Sequence, residues 1–412
     1  MTRPTLLLIA ASLLLVPSLA QAHGLPDYLD ESSRLPVNPN PAATDTLDVE
    51  FIDVDADGDL DLFVVEGTAS PAPRPNLLCI NDGAGNFANE TFSRLPPGAA
   101  NSTEVEAADV DGDGDLDLIV ANLGANQLIL NDGAGFFTDV SATNLPAPDP
   151  NFLNDISAEA RFADVDGDGD PDLLVSNENP FDPTGGGQNR LLLNDGSGVF
   201  VDATAGRLPT AIDQTAGFAV GDIDTDGDLD LIVVNIGSNR VLLNDGAGFF
   251  TDETAILHPG DPGRSSRKGV LGDIDGDACL DLVVGNSRAE PNELWLGDCD
   301  GFFTDGSSMM PADNATTTDI DLVDVDADGD LDVYVTNAGT FLFGHGFLGE
   351  PNVLLVNKNG NKLKDKTDHA FPPESRPSSG AEFGDVDGDG DLDLCIANST
   401  EDGGDEILFI AD

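Results

Sequence analysis

The chain has 412 residues, of which 17 are basic and 77 are acidic, so that its formal net charge is −60. A surface this acidic excludes nucleic acid and anionic membranes as partners, because both carry charge of the same sign. Aromatic residues with a polar edge are scarce, since the chain has one Trp and two Tyr.

The first segment, residues 1–22, has the pattern of a secretory signal peptide. Arg3 precedes an apolar run from Leu6 to Val16, and Ala20-Gln21-Ala22 supplies the small residues of a cleavage site. No later apolar stretch is long enough to span a membrane. We therefore expect residues 23–412 to form a single domain that is secreted, to the periplasm or to the extracellular space.

A nine-residue motif, Asp-x-Asp-x-Asp-Gly-Asp-Leu-Asp, occurs in seven close variants along the chain. We call each copy a cage and number the cages 1 to 7. Clustered carboxylates repel one another unless a cation lies among them, and this pattern of aspartates, with glycine at position 6, suits calcium. We expect up to seven calcium ions, one in each cage. The predicted ligands are Asp53, Asp55, Asp57, Asp59 and Asp61 in cage 1; Asp109, Asp111, Asp113, Asp115 and Asp117 in cage 2; Asp164, Asp166, Asp168, Asp170 and Asp172 in cage 3; Asp222, Asp224, Asp226, Asp228 and Asp230 in cage 4; Asp273, Asp275, Asp277, Cys279 and Asp281 in cage 5; Asp324, Asp326, Asp328, Asp330 and Asp332 in cage 6; and Asp385, Asp387, Asp389, Asp391 and Asp393 in cage 7.

The residues after each cage decide which kind of calcium site the motif forms. An EF-hand needs a Glu at position 12 and flanking helices. Here position 12 is always β-branched, as at Val120 and Val233, and segments such as 117–122 are typical of short buried strands. The cage is therefore predicted to be the turn of a β-hairpin.

A second recurring pattern follows the hairpins and completes a four-stranded unit. Residues 189–200 and 239–250 both have the pattern Asn-x-Leu-Leu-Leu-Asn-Asp-Gly-x-Gly-x-Phe or a close variant of it. This pattern indicates a third strand, a tight turn and a fourth strand. Four strands in a unit of roughly 50 residues match one propeller blade. We predict an all-β fold, a seven-bladed β-propeller with four-stranded antiparallel blades.

The seventh unit has three predicted strands, the last at residues 407–410. Residues 28–32, near the other end of the chain, are similar to fourth-strand segments such as 137–141. We expect this N-terminal segment to complete the last blade and to close the ring, which removes an exposed sheet edge.

Cage 5 departs from the motif at two positions. Ala278 replaces the glycine of position 6, at a cost of roughly 1 kcal/mol for a left-handed residue, so we expect the weakest calcium site here. Cys279 occupies position 7, and Cys299 lies in the next turn of the same blade. We predict a disulfide between them, the alternative being two unpaired thiols. Cys79 and Cys395 lie in the middle of strands and are expected to be buried thiols.

The units resemble the FG-GAP repeat, also called the VCBS repeat, the blade of the seven-bladed propeller at the head of integrin α chains. The resemblance covers the whole mature chain, and Phe383-Gly384 preserves the Phe-Gly pair, although Gly-Ala-Pro follows in no blade. The resemblance implies calcium in the cages and a role in cell adhesion or protein interaction. It also implies ligand binding on the face opposite the cages.

No catalytic constellation is visible in the sequence. The four His residues, His23, His258, His345 and His369, show no metal spacing, and neither a Gly-x-Ser-x-Gly elbow nor a Cys–His pairing occurs. We therefore expect a monomer without enzymatic activity, a scaffold for an extracellular protein or glycan. The alternative is a calcium-stabilised carbohydrate-binding lectin, for which Trp295 and Tyr334 would have to be exposed.

Two further groups of charged residues stand out. Arg264, Arg267 and Lys268 precede cage 5 and either hold an anionic ligand or offset neighbouring acids. The first strands are expected to line a central channel, with mutual salt bridges as the favoured interpretation. The channel residues are Glu50, Glu106, Arg161, Ala219, Val270, Asp321 and Glu382. Residues 341–348 form an apolar insertion in blade 6, interpreted as a lid or as an exposed loop.

Overall fold

The computed structural model describes residues 24–37, 45–67, 73–147, 156–178, 186–258, 260–342, 346–360, 362–373, 376–398 and 406–411. Within these residues the strands form seven four-stranded sheets and one two-stranded sheet. The first strand of each sheet contacts that of the next, and the last of the seven contacts the first. The predicted seven-bladed β-propeller is confirmed. The predicted signal peptide, residues 1–22, lies outside the described residues.

The first four blades follow one another along the chain. Blade 1 contains β2 (Asp45–Ile52), β3 (Asp61–Gly67), β4 (Leu77–Asn81) and β5 (Phe87–Asn89). Blade 2 contains β6 (Ser102–Ala108), β7 (Asp117–Asn122), β8 (Gln127–Leu130) and β9 (Thr138–Asp139). Blade 3 contains β10 (Ser157–Ala163), β11 (Asp172–Asn177), β12 (Arg190–Asn194) and β13 (Phe200–Asp202). Blade 4 contains β14 (Thr215–Gly221), β15 (Asp230–Asn235), β16 (Arg240–Asn244) and β17 (Phe250–Asp252).

The remaining blades include one insertion and one segment from the other end of the chain. Blade 5 contains β18 (Ser266–Gly272), β19 (Asp281–Asn286), β20 (Glu293–Gly297) and β21 (Phe303–Asp305). Blade 6 contains β22 (Thr317–Val323), β23 (Asp332–Asn337), β26 (Val353–Val356) and β27 (Lys364–Asp365), with β24 (Thr340–Leu342) and β25 (Gly346–Leu348) as a separate pair. Blade 7 contains β28 (Ser378–Gly384), β29 (Asp393–Asn398), β30 (Ile407–Ala411) and β1 (Tyr28–Asp30).

A single helical turn follows the fourth strand of each blade and leads to the next. These turns are α1 (Thr91–Arg94), α2 (Ser141–Asn144), α3 (Thr204–Arg207), α4 (Thr254–Leu257) and α5 (Thr367–Ala370), with 3₁₀ turns at Ser32–Arg34 and Ser307–Met309. No helix among the described residues is both long and apolar enough to cross a lipid bilayer.

In blade 7, β1 pairs antiparallel with β30, and Tyr28 lies opposite Ala411. The hydroxyl of Tyr28 donates a hydrogen bond of 2.9 Å to the carbonyl of Leu392 in the same blade. The ring of Tyr28 stacks on Phe371, with ring centroids 4.3 Å apart. This strand is therefore fixed by backbone pairing, a side-chain hydrogen bond and aromatic packing.

The hydrophobic core is a series of layers between neighbouring blades. Every residue of β7 is buried, because a second strand has strands on both sides and blades on both faces. One core cluster joins Ile52 and Phe63 of blade 1 to Leu118 and Phe137 of blade 2. Each blade therefore depends on its neighbours for burial, as expected for repeats that cannot form a core alone.

Candidate metal centres

The cages connect the first strand of each blade to the second. In blade 2, β6 ends at Ala108 and β7 begins at Asp117, so that cage 2 forms the turn between them. Residues 131–137, between β8 and β9, form the other turn at the same end of the antiparallel blade. In blades 1 to 4 each cage therefore lies beside the Asn-Asp-Gly turn of its own blade.

The first and fifth aspartates shape the loop by accepting backbone hydrogen bonds. In cage 2 the two carboxylate oxygens of Asp109 accept from the amides of Gly112, at 2.8 Å, and Gly114, at 3.0 Å. Asp113 accepts a bond of 3.1 Å from the amide of Asp115. The two glycines have φ of 76° and 97°, a left-handed backbone that curls around the carboxylates. The loop is therefore held in a closed form by its own aspartates.

The ninth aspartate is buried and fixed on both sides. In cage 2, Oδ1 of Asp117 accepts from the amide of Asn131 at 2.8 Å, and Oδ2 accepts from that of Val110 at 3.2 Å. Burial raises the pKa of Asp117 to about 7, although the two backbone hydrogen bonds act in the opposite direction. A bound cation would favour the charged form of this carboxyl. The same pair of backbone bonds holds Asp61, Asp172, Asp230, Asp281, Asp332 and Asp393.

In five cages the third aspartate has a buried oxygen atom without a hydrogen-bond partner. Oδ1 of Asp111 is buried without a hydrogen-bond partner. The same holds for Oδ1 of Asp55, Asp166, Asp326 and Asp387, and for Oδ1 of the first aspartates Asp53 and Asp222. Leaving such an acceptor buried and unpaired costs about 1–3 kcal/mol. A hard cation bound to these oxygens would remove that cost, so the donor set fits calcium.

Ligand atoms converge in most of the cages. In cage 2, one oxygen each from Asp109, Asp111 and Asp117 lie within 4.8 Å of one another. Equivalent groups are Asp164, Asp166 and Asp172; Asp222, Asp224 and Asp230; and Asp273, Asp275 and Asp281. In cage 1 the group is Asp53, Asp55 and Asp57, at positions 1, 3 and 5. These aspartate clusters could therefore each hold a metal ion.

The seventh aspartate lies against the neighbouring turn. A Cβ atom added at Gly83 would lie 2.3 Å from Oδ2 of Asp59, and one added at Gly133 would lie 2.3 Å from Oδ2 of Asp115. Glycine in the Asn-Asp-Gly turn therefore makes room for this carboxylate. Ligation by the position-7 carboxylates stays a prediction; these are Asp59, Asp115, Asp170, Asp228, Asp330 and Asp391.

Cage 5 carries the predicted disulfide, between Cys279 and Cys299, whose Cα atoms are 4.9 Å apart. The sulfur of Cys279 is bonded to that of Cys299, so it is not a thiolate. The prediction that Cys279 is a metal ligand is therefore wrong. Ala278 has a φ of 73°, the left-handed conformation expected at position 6. Cys79 and Cys395 are buried free thiols, as predicted.

The fourth position of the cage is also left-handed, which the sequence analysis missed. Ala56, Thr225 and Ala327 have φ of 57°, 59° and 52°. The sequence does indicate this conformation, because the other cages have glycine at position 4, as at Gly112 and Gly388. Left-handed strain therefore occurs in cages 1, 4 and 6 as well as in cage 5.

Each of five Asn side chains ties a cage to the following blade. Nδ2 of Asn131 in blade 2 donates a hydrogen bond of 2.8 Å to the carbonyl of Val54 in cage 1. The corresponding asparagines Asn81, Asn194, Asn244 and Asn357 donate to the carbonyls of Val386, Val110, Val165 and Ile274. Each of these bonds makes one cage part of the interface with the next blade.

Charged side chains from several blades meet at the centre of the ring. Nζ of Lys268 in blade 5 lies 3.9 Å from Glu104, 3.8 Å from Glu159 and 3.7 Å from Asp319, which belong to blades 2, 3 and 6. Arg161 pairs with Glu159 at 2.9 Å. Of the predicted channel residues, Arg161 takes part in these ion pairs. The other partners each lie two positions before a predicted channel residue in their strands; these are Lys268, Glu104, Glu159 and Asp319. Burial raises the pKa of several carboxyls of the channel, and those of Asp48 and Glu106 reach about 7.

The remaining candidate binding residues are already occupied within the fold. Arg264 pairs with Glu293 at 3.0 Å, and Arg267 pairs with Glu178 at 2.9 Å. These cations therefore offset neighbouring acids, the second of the two interpretations. Trp295 and Tyr334, whose exposure would favour sugar binding, are 5% and 2% exposed.

Five segments of the chain match the family described as the FG-GAP-like repeat: 53–120, 109–175, 181–233, 222–284 and 273–335. Together they cover more than half of the sequence. The chain belongs to the FG-GAP-like repeat family. The five matches include the first six cages, so the motif that carries the candidate metal centres is part of the family's repeat. A search of curated protein sequences gives no match.

Solved structures with a similar fold include two crystals of BBS1N in complex with ARL6DN. The first, soaked with lead, is 13% identical, covers 94% of this chain and 97% of that chain, and has a TM-score of 0.54. The second, soaked with mercury, is 13% identical, covers 93% of this chain and 96% of that chain, and has a TM-score of 0.55. An Agrocybe aegerita lectin that recognises non-reducing terminal N-acetylglucosamine is 16% identical over 93% of each chain, with a TM-score of 0.45. At these identities the likeness shows the fold alone.

Proposed function

We propose that this FG-GAP-like propeller is a non-catalytic, calcium-stabilised scaffold that binds an extracellular protein. The observation that carries the proposal is the set of buried Oδ1 atoms in the cages, which have no hydrogen-bond partner. Calcium supplies positive charge to oxygen ligands, and its binding joins carboxylates that otherwise repel one another. The chain's own residues provide the ligands, shape the loop through backbone amides and anchor the ninth carboxylate in the blade.

Up to seven ions are proposed, with the ligands drawn from positions 1, 3, 5, 7 and 9 of each cage, except Cys279. Cage 5 is proposed as the weakest site, because Cys279, held in a disulfide, replaces the position-7 aspartate that the other six cages have. We expect Asp277→Ala to reduce calcium binding less than Asp226→Ala, the equivalent change in cage 4. Equal losses in calcium stoichiometry would contradict this ranking.

Residues 23–412 are proposed to work as one secreted, monomeric domain after removal of residues 1–22. Support comes from the signal-like sequence and from the disulfide between Cys279 and Cys299, since disulfides persist in oxidising compartments. The calcium concentration outside cells is also in the range that extracellular modules bind, with dissociation constants of about 10⁻⁴–10⁻³ M.

The partner is proposed to bind on the face opposite the cages. A cavity of about 430 Å³ opens there between the connector at 212–214 and the loop at 235–240. Ile212, which lines this cavity, is 57% exposed, and an exposed apolar side chain beside polar groups is typical of interaction surfaces. The lectin alternative has less support, because Trp295 and Tyr334 are buried.

The test is a calcium count followed by a search for partners. Equilibrium dialysis against several millimolar calcium should find several bound ions per chain, and Asp111→Ala should lower the count by one. Asp132→Ala, in the exposed turn beside cage 2, is the matched control and should leave the count unchanged. A wild-type chain without calcium would refute the proposal. A protein pull-down run beside a glycan array then separates the scaffold from the lectin.

A further inference from the structure

Cages 1 and 6 are identical in sequence, as are cages 2 and 7. Residues 53–61 and residues 324–332 both have the sequence Asp-Val-Asp-Ala-Asp-Gly-Asp-Leu-Asp. Their fourth residues, Ala56 and Ala327, also have similar φ values of 57° and 52°. Any difference in ion affinity between cage 1 and cage 6 must therefore come from side chains outside the nine residues.

In cage 1 the outside contact is an arginine that reaches one carboxylate. Arg94 donates a hydrogen bond of 3.0 Å to Oδ2 of Asp55. The same nitrogen donates to the carbonyl of Ala134 in blade 2 at 2.9 Å, and the guanidinium lies 5.3 Å from the ring centre of Phe136. Arg94 is therefore held by the next blade, and it pairs with one carboxylate of the cage, that of Asp55.

In cage 6 the outside contact is a lysine that reaches two carboxylates. Nζ of Lys358 lies 3.2 Å from Oδ2 of Asp326 and 3.7 Å from Oδ2 of Asp328. Asp326 is 2% exposed, and its Oδ1 atom is one of the buried oxygens without a hydrogen-bond partner. The ammonium group therefore lies between two of the predicted ligands of a single ion.

The position of Lys358 in its turn makes it unusual in this chain. The corresponding residue in the other Asn-Asp-Gly or related turns is an aspartate, namely Asp82, Asp132, Asp195, Asp245 and Asp298. Blade 6 thus has a positive charge where five blades have a negative one. Among the described residues, no other cage has a lysine in ion-pair contact with its aspartates.

We propose that the ammonium group of Lys358 competes with calcium for the carboxylates of cage 6. The inference rests on the proposed calcium binding and names a regulator of one site. With the ammonium in contact, the third and fifth aspartates are partly neutralised without an ion. Calcium must displace this contact and bind near a like charge, so cage 6 fills at a higher calcium concentration than cage 1.

The experiment measures each cage separately within the full-length protein. Hydrogen–deuterium exchange, read by mass spectrometry against free calcium, gives a midpoint for the peptide that contains each cage. Different following residues, Leu62-Phe63 and Val333-Tyr334, distinguish the two identical cages by mass. We expect Lys358→Gln to lower the midpoint of cage 6 by about tenfold, since a unit charge a few ångströms from a divalent ion is removed.

Three controls separate the possible outcomes. Lys364→Gln, an exposed lysine on β27 of the same blade, should leave the cage 6 midpoint unchanged. Lys358→Asp, which restores the residue of the other turns, should lower it further, and the midpoint of cage 1 should stay constant in every variant. If cage 1 responds to calcium but Lys358→Gln leaves cage 6 unchanged, the inference is wrong and the proposed calcium binding stands. If no cage responds to calcium, calcium binding itself fails.

Discussion

The side chain of Asn131 makes four hydrogen bonds, and its replacement by alanine should destabilise the ring. Nδ2 donates to the carbonyls of Val54, at 2.8 Å, and Leu116, at 3.2 Å. Oδ1 accepts from the amides of Gly133, at 3.2 Å, and Gly135, at 3.1 Å. One residue thus fixes its own turn, its own cage and the cage of the preceding blade.

The expected cost follows from these four bonds. Each contributes about 1 kcal/mol net, and a buried carbonyl left unpaired, as at Val54, costs about 1–3 kcal/mol. Allowing for water at the exposed side of the turn, Asn131→Ala should lower the free energy of unfolding by about 3 kcal/mol. Urea unfolding in the presence of calcium, followed by the fluorescence of Trp295, measures this change.

Asp132→Ala is the matched control for this measurement. Asp132 is the next residue of the same turn, is exposed, and accepts bonds of 3.1 Å and 3.2 Å from the amides of Ala134 and Phe136. Its loss should cost less than about 1 kcal/mol, because water replaces an exposed acceptor. If both variants lose the same stability, the asparagine does not join the blades in the way described.

Two further predictions concern the disulfide and the channel. Replacing Cys279 and Cys299 by serine should lower the unfolding free energy by about 3 kcal/mol, because the bond closes a loop with a sequence separation of 20 residues; denaturation of this variant beside oxidised wild type checks the value, reduced wild type should match the variant, and a midpoint equal to that of oxidised wild type would contradict the prediction. In the channel, burial raises the pKa of Glu106 from 4.5 to about 7, and that of Asp48 from 3.8 to about 7. Both carboxyls have a higher pKa in the folded protein than in the unfolded chain, so their protonation stabilises the fold. This stabilisation is fully present below about pH 4 and is lost as the pH rises through 7. The melting temperature of the calcium-free protein should therefore fall between pH 5 and pH 8, and Glu106→Gln should weaken this dependence; an identical pH profile in the variant would show that Glu106 does not titrate in this range.

Local features of the fold could be predicted from the sequence, because they depend on residues close together in the chain. The predicted strand at 117–122 is β7, and its buried residues follow from the continuous apolar run between Asp117 and Asn122. The disulfide was predictable for the same reason, since both hairpin turns of a blade lie at one end. Glycine at position 4 in four cages indicates a left-handed residue there as well. The prediction, however, covered only the glycine at position 6.

Contacts between blades could not be predicted from local patterns. The bond from Asn131 to Val54 joins residues 77 apart, and that from Arg94 to Asp55 joins residues 39 apart. Both depend on the angle between neighbouring blades, which the repeat pattern does not specify. The contact of Lys358 with cage 6 could not be predicted either, because it depends on how the turn at 357–360 packs against the cage.

The melting temperature with and without calcium tests the central claim most directly, namely that calcium in the cages stabilises the ring. Protein stripped with EDTA should melt well below protein returned to calcium at the same ionic strength. Each filled cage adds about 2.7 kcal/mol when calcium is a hundredfold above its Kd, so several cages should raise the Tm by more than ~10 °C. Equal melting temperatures in EDTA and in calcium would contradict the account.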